Sequence, residues 1–161
     1  MQTLNTKQQG FTLLEILLVV AAIAILAGIV IVALNPGKQL GDTRNAERIS
    51  DVNSVLNAVY QYSIDNNGNF PGGIDNASST VQVIGTGGTE CSGVCDAAPD
   101  VEAECLDLSN ELTPTYLADI PTDPRSGDAT ETGYYINRAA AGRITVGACS
   151  PEQDATISAT R

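Results

Sequence analysis

The sequence has no histidine and no tryptophan, and among its 161 residues only two phenylalanines, five tyrosines and one methionine. Without histidine the chain lacks the side chain that ordinarily titrates between pH 5 and 8, which excludes histidine acid–base chemistry and histidine metal ligation. Positive charge is also scarce: eight Lys and Arg stand against nineteen Asp and Glu, a formal net charge of -11. The imbalance is local, because between Asp75 and Glu131 there are twelve acidic residues and a single basic one, Arg125. A surface of that sign repels phosphate backbones, so direct nucleic-acid binding is not expected. It suits a solvated, soluble face, with cation binding as the sharper alternative.

What the chain does have is an uninterrupted apolar run. No charged residue occurs from Ile16 to Gly37, and Ile16 to Leu34 is aliphatic apart from Ala and one Gly. At about 1.5 Å per residue, such a helix spans a hydrocarbon core about 30 Å thick. A soluble domain built from the remaining residues could hardly surround it, so the run is read as a membrane span. Glu15 stands at its edge, and a charge at bilayer depth costs about 2.5 to 3.5 kcal/mol on insertion scales, so the carboxylate needs compensation. Residues 1–10, MQTLNTKQQG, are polar with one basic side chain, Lys7. The apolar stretch is too long for a secretory signal and no A-x-A-like cleavage site follows it. Lys38, Arg44 and Arg48 beyond the run outnumber Lys7 plus the amino terminus, so charge counting leaves the topology open.

Asn35-Pro36-Gly37 interrupts the helical pattern, since proline lacks a donor and biases its predecessor away from helix. From about Asp42 the pattern resumes, with Ile49, Val52, Val55, Leu56, Val59 and Tyr62 at spacings of three and four. Arg48, Asp51, Asn53, Asn57 and Gln61 fall between them as a wet face. Asn66-Asn67-Gly68-Asn69 supplies left-handed cap residues, and Phe70-Pro71 prevents continuation. Farther on, Thr80–Ile84 reads as a short strand or loop and Ser109–Leu117 as a short helix or turn. Tyr134–Asn137 and Arg143–Ala148 have strand composition, joined by a hairpin through Ala-Ala-Ala-Gly. The polar tail from Ser150 to Arg161 is expected to fray. Cys91, Cys95, Cys105 and Cys149 all follow the apolar run. Four cysteines in a small domain beyond a membrane span imply disulfides in an oxidising compartment, with three connectivities open; Cys149 is expected to tie the sheet to the variable region. A four-thiolate zinc site is the rival, although the usual C-x-x-C knuckles are missing.

The stretch Gly10-Phe11-Thr12-Leu13-Leu14-Glu15, directly before an aliphatic helix, resembles the class III signal of type IV pilins and type II secretion pseudopilins. The likeness extends less specifically through the amphipathic helix to about Asn66 and to Tyr116–Pro124. It implies an α+β pilin fold, a long N-terminal helix whose second half packs on a small C-terminal antiparallel β-sheet. The implied organisation is a leader at 1–10, a transmembrane and assembly helix at 11–34, the amphipathic half at 35–69, and a variable loop region with the sheet at 70–161. In such proteins prepilin peptidase cuts after the glycine and methylates the new amino terminus, here between Gly10 and Phe11. The Phe11 ammonium would then compensate Glu15, from a neighbouring subunit or, at i, i+4, within one chain. The plainer reading of Glu15 is a favourable acid near the positive end of a helix. Ala21, Ala24, Ala27 and Gly28 supply small residues for helix packing, with Ala24-x-x-x-Gly28 a small-xxx-small pattern.

Asp119, Asp123, Asp128 and Glu131 occupy the stretch where major pseudopilins often hold calcium. The spacing is not that of an EF-hand, and turn-forming aspartates beside Pro121 and Pro124 explain most of it; no other cofactor is expected. The resemblance implies a non-enzymatic subunit of a type IV pilus, serving adhesion, motility or DNA uptake, with a type II secretion pseudopilin as the alternative. A membrane-tethered enzyme is remote, because no nucleophile–base pair can be named. The implied partners are copies of the chain in a helical homopolymer, prepilin peptidase, the inner-membrane assembly machinery of a pilus or secretion system, and lipid before assembly. The implied location is the cytoplasmic membrane, as a single-pass precursor with its globular part outside, and then a cell-surface filament.

Overall fold

The computed structural model describes residues 10–77, 79–89, 91, 95–98 and 100–161. Of the leader expected at 1–10, all but Gly10 lies outside them. The chain divides into two compact units, Met1–Gln39 and Leu40–Arg161.

The first unit contains helix α1, Leu13–Leu34. Thr12 caps it in extended conformation, its side chain accepting a hydrogen bond from the Glu15 amide at 3.2 Å. Beyond Glu15 the helix is apolar around its whole circumference, and none of its residues is buried. It stops at Asn35, which adopts the left-handed conformation with φ 41°. Helix α2, Pro36–Asp65, begins at the next residue. The break is therefore confined to one residue, and the helix resumes at Pro36, not at Asp42. The reason is position: at the first helical place proline's missing N–H has no intrahelical partner to lose. The Asn35 carbonyl accepts from the Lys38 amide at 3.0 Å, opening the new helix.

The second unit is built on α2. Val52, Val55, Leu56, Ala58 and Val59 are buried against Leu108, Leu112, Tyr134, Ile136, Ile144 and Val146 in one apolar cluster. Ile49, expected on this stripe, is 51% exposed. The buried seam runs instead through Gly41, Asn45, Arg48, Val52, Val55 and Val59, spaced alternately by four and three residues, so its first three members are not hydrophobic. Tyr62 sits at the cluster's edge and meets Tyr116 edge to face. The helix ends as the sequence implies, with Asn67 and Gly68 at positive φ and the Gly68 amide donating to the Ser63 carbonyl at 2.8 Å.

Four antiparallel strands follow, in sheet order β1-β2-β3-β4: β1 Gln82–Val83, β2 Tyr134–Arg138, β3 Ile144–Ala148 and β4 Ser158–Thr160. A one-turn helix, α3, Ser109–Leu112, lies between β1 and β2. Alternation assigns the two faces. Tyr134 and Ile136 join the cluster under α2, while Val83 and Tyr135 pack with the cysteines in a second one. Gly147 is required by that packing, because a Cβ there would lie 2.4 Å from the Tyr135 ring. The hairpin from β2 to β3 turns at Gly142, φ 83°, as its composition implies. The tail does not fray. Its strand β4 pairs with β3 and Ile157 is buried. An edge strand with both end side chains in solvent carries no apolar alternation, so its sequence looks like a loop.

Two disulfides, Cys91–Cys105 and Cys95–Cys149, join the variable region to itself and to the residue after β3. Cys149 thus ties the sheet to the variable region as expected. The bonds close separations of 14 and 54 residues, for which chain entropy gives about 3 and about 4 kcal/mol. Alkylation of exported protein without reductant is therefore expected to leave its mass unchanged. Replacing Cys95 and Cys149 by Ser should cost more stability in denaturant titrations than replacing Cys91 and Cys105. Four alkylated thiols in protein from intact cells would contradict the pairing.

Candidate functional site

The processing and assembly residues lie at the start of α1. Gly10 is exposed, and a Cβ built on it meets nothing within 4 Å. Neither packing nor a positive φ requires glycine there, so any demand for it comes from outside the described fold. Phe11 is 79% exposed. Thr12 and Glu15 have the spacing of a capping box, and its N-cap half is made by the Thr12 hydroxyl. The first-turn reading of Glu15 is thereby met in geometry, and its carboxylate remains exposed for a further partner. Along the same helix Ala24, Ile25, Gly28, Ile29, Val32 and Ala33 line a shallow apolar groove that contains the small-xxx-small pair.

The second unit holds a charge cluster that the wet-face reading of Arg48 missed. Arg48 has no exposed surface. Its Nε and Nη2 donate to the two carboxylate oxygens of Asp123 at 2.5 and 3.0 Å, and its Nη1 donates to Glu152 at 3.0 Å and to Asn45 at 2.9 Å. Arg44 binds Glu152 bidentately, both bonds 2.6 Å. Asn45 and the Glu152 backbone exchange two more hydrogen bonds, at 2.8 and 3.0 Å. A guanidinium fork matched to a carboxylate is the arrangement in which a charge is best kept inside. The signal was present: extending the three-and-four spacing backward from Val52 lands on Arg48 and Asn45. Burial pushes the Asp123 carboxyl up, but Arg48 and the amides of Arg125 and Ser126 outweigh it and hold it below the usual carboxylate range. The Arg44 fork, helped by Arg48, lowers Glu152 to about 2 against a smaller opposing effect of burial. Nearby, burial and a bond to Asp51 at 2.7 Å raise the Tyr134 hydroxyl, keeping it a neutral donor.

The four carboxylates considered for calcium are not brought together. Asp123 is taken by Arg48, Asp119 accepts from the Ile120 amide at 2.9 Å, and Asp128 accepts from the amides of Thr130 and Glu131 at 2.7 and 3.0 Å. Among the described residues no group of three or more His, Cys, Asp or Glu is placed to hold a metal ion.

Comparison with known proteins places the N-terminal part. The family described as "Prokaryotic N-terminal methylation motif" matches residues 5–31. The chain is 42% identical over 60 residues to the type II secretion system core protein G of Escherichia coli (strain K12), a match covering 37% of this chain and 40% of the relative. For the core protein G of Aeromonas hydrophila the figures are 39% over 61 residues, 38% and 41%. The N-terminal part of the chain thus carries the methylation motif and apolar helix by which it resembles type IV pilins and pseudopilins. The chain has the α+β fold expected from the motif, a long apolar N-terminal helix and a small antiparallel four-stranded sheet. Its motif implies processing by prepilin peptidase and polymerisation into a filament, and with the single apolar helix it fits a membrane-anchored precursor. The match spans about two fifths of these relatives' length. No solved structure matches the chain.

In this pilin-type chain the cluster of Arg44, Arg48, Asp123 and Glu152 makes stability acid-sensitive. Both carboxyls have folded pKa values below their unfolded ones, so their contribution is complete above about pH 5 and is lost as pH falls, toward 2 in the case of Glu152. Denaturant titrations of the full chain in detergent micelles should show stability falling between pH 5 and 2. Glu152→Gln should lower stability at pH 7 and flatten that fall; an unchanged slope would remove Glu152 from the account.

Proposed function

We propose that the chain is a pseudopilin-type subunit that polymerises through α1 into a short secretion filament. A surface pilus was the leading expectation from the motif, with the pseudopilin as its alternative. The relatives named type II secretion system core protein G favour the alternative. One structural observation carries the assembly part of the proposal: a 22-residue apolar helix with no buried residue. Lipid covers it before assembly and other copies of α1 cover it afterwards. Because lipid tails are as apolar as leucine, hydrophobicity alone does not select the assembled state; close packing and polar pairing do.

Gly10 and Phe11 flank the bond that prepilin peptidase cuts. The cut creates an ammonium at Phe11, one helical turn from Glu15, which N-methylation leaves charged. On docking, Glu15 meets the Phe11 ammonium of a neighbouring subunit. An unpaired charge in lipid thereby selects the next helix in register, and the groove along Ala24 and Gly28 accepts its backbone closely.

Native protein should begin at N-methylated Phe11 by intact-mass analysis, and a mature form retaining Met1 would contradict the processing site. Gly10→Val should leave uncut precursor in the membrane and no filament, because a branched side chain crowds the scissile bond. Glu15→Leu should be inserted and cut normally, yet yield about tenfold less filament or fewer. Cleaved subunit with normal filament yield would show that charge pairing does not recruit the subunit. Deleting the gene separates the two filament types: lost export of a secreted enzyme supports the pseudopilin, whereas lost surface fibres with normal export supports the pilus.

A further inference from the structure

Four acidic side chains lie between residues 119 and 131, a density that calls for a cation, and oxygen-rich loops are what calcium takes. At Asp123 the cation is part of the chain, the Arg48 guanidinium. We infer that Arg48 is a built-in cation that stands in for a bound metal ion, closing the 119–132 loop and the Glu152 turn onto α2, so that this unit folds without calcium.

Three observations carry the inference, and none depends on which filament the chain serves. The first is charge. Arg44 and Arg48 from α2 balance Asp123 from the loop and Glu152 from the turn, and the Arg125 guanidinium adds a third positive group 3.7 Å from Glu152. A divalent ion placed here would face three guanidinium groups and two carboxylates that are already paired. The second is donor use. Besides the Arg48 fork, Asp123 Oδ1 accepts from the amides of Arg125 and Ser126 at 2.9 and 3.2 Å, so the oxygens a metal would need already serve the loop's own backbone. The third is space. The loop wraps Asp123 so closely that a Cβ on Gly127 would lie 2.3 Å from the Asp123 nitrogen, and one on Gly133, φ 78°, would lie 2.6 Å from its Cβ. Calcium ligands stand about 2.3 to 2.6 Å from the ion, whereas both Asp123 oxygens already have an Arg48 nitrogen at 2.5 and 3.0 Å.

The geometry also explains why an arginine serves. A calcium ion draws ligands toward one point, whereas the planar fork reaches Asp123 with two nitrogens and the Glu152 turn with a third. One side chain on α2 thus fastens two segments, 75 and 104 residues away in sequence.

The test uses the full chain in detergent micelles, melted with 1 mM calcium chloride or with EDTA, alongside calorimetric titration of calcium. The expected result is no saturable calcium binding and the same melting temperature in both solutions. Saturable binding that raises the melting temperature would overturn the inference. Arg48→Gln should lower the melting temperature by about 10 °C or more, since it strands a buried carboxylate. Arg48→Lys keeps the charge but not the fork and should fall between the two. If Arg48→Gln does not fold, Arg48→Lys and the wild-type calcium comparison decide. A lysine variant that melts like wild type would remove the fork from the account.

Discussion

Helix α1 has 22 residues and no buried one, and the rest of the molecule's behaviour follows from that constraint. Burying one aliphatic side chain is worth about 1.5 to 3 kcal/mol, so leaving this helix in water would cost tens of kcal/mol. With none of its residues buried, the helix needs an apolar surrounding, and in the proposed function that surrounding is lipid or other copies of α1. Between those two environments the hydrophobic effect is nearly indifferent. Choice then falls to the few non-aliphatic features of the segment: the exposed Glu15 in the first turn, the new amine its cleavage would place at Phe11, and the small-residue groove at Ala24 and Gly28. A carboxylate that is costly in lipid is the kind of group that makes one docked arrangement preferable to free diffusion in the membrane.

The second unit solves a different problem. Among the described residues, its regular structure apart from α2 amounts to four short strands and a single turn of helix, with long connections between them. Such connections gain little from main-chain ladders, so they are fastened otherwise. The two disulfides hold the segment around residues 91–105, and the Arg48 cluster holds the loop before β2 and the turn before β4. Covalent staples restrict the unfolded chain, while a buried ion pair penalises any state in which one partner is left alone. Both fastenings are made by the chain's own side chains.

How much of this was legible in the sequence depended on whether periodicity or pairing carried the signal. The apolar run, the stripe from Val52 to Val59, the Asn67-Gly68 cap and the hairpin at Gly142 are local patterns, and each appears where the residues imply. Arg48 reads as part of the wet face because a charge at a seam position is indistinguishable from a charge in solvent until its partner, 75 residues away, is placed beside it. Ile49 was assigned to the seam for the mirror-image reason: it is apolar, one residue out of step, and exposed. Strand β4 escaped notice because an edge strand with solvated side chains carries its information in main-chain pairing alone. The disulfide partners likewise belong to tertiary geometry, and counting cysteines left three connectivities open.

The central claim is that the Glu15 charge is met by the amine of another subunit and not by its own. Filaments assembled from a mixture of unlabelled and heavy-isotope subunits can be treated with a carbodiimide that joins an amine to a carboxylate without a spacer, then digested. No Lys or Arg lies between Phe11 and Lys38, so both reacting groups fall in one tryptic peptide. Pairing between subunits predicts Phe11–Glu15 linked peptide dimers carrying one light and one heavy partner. Pairing within a chain predicts single peptides lighter by one water and no mixed dimers, and that result would contradict the account.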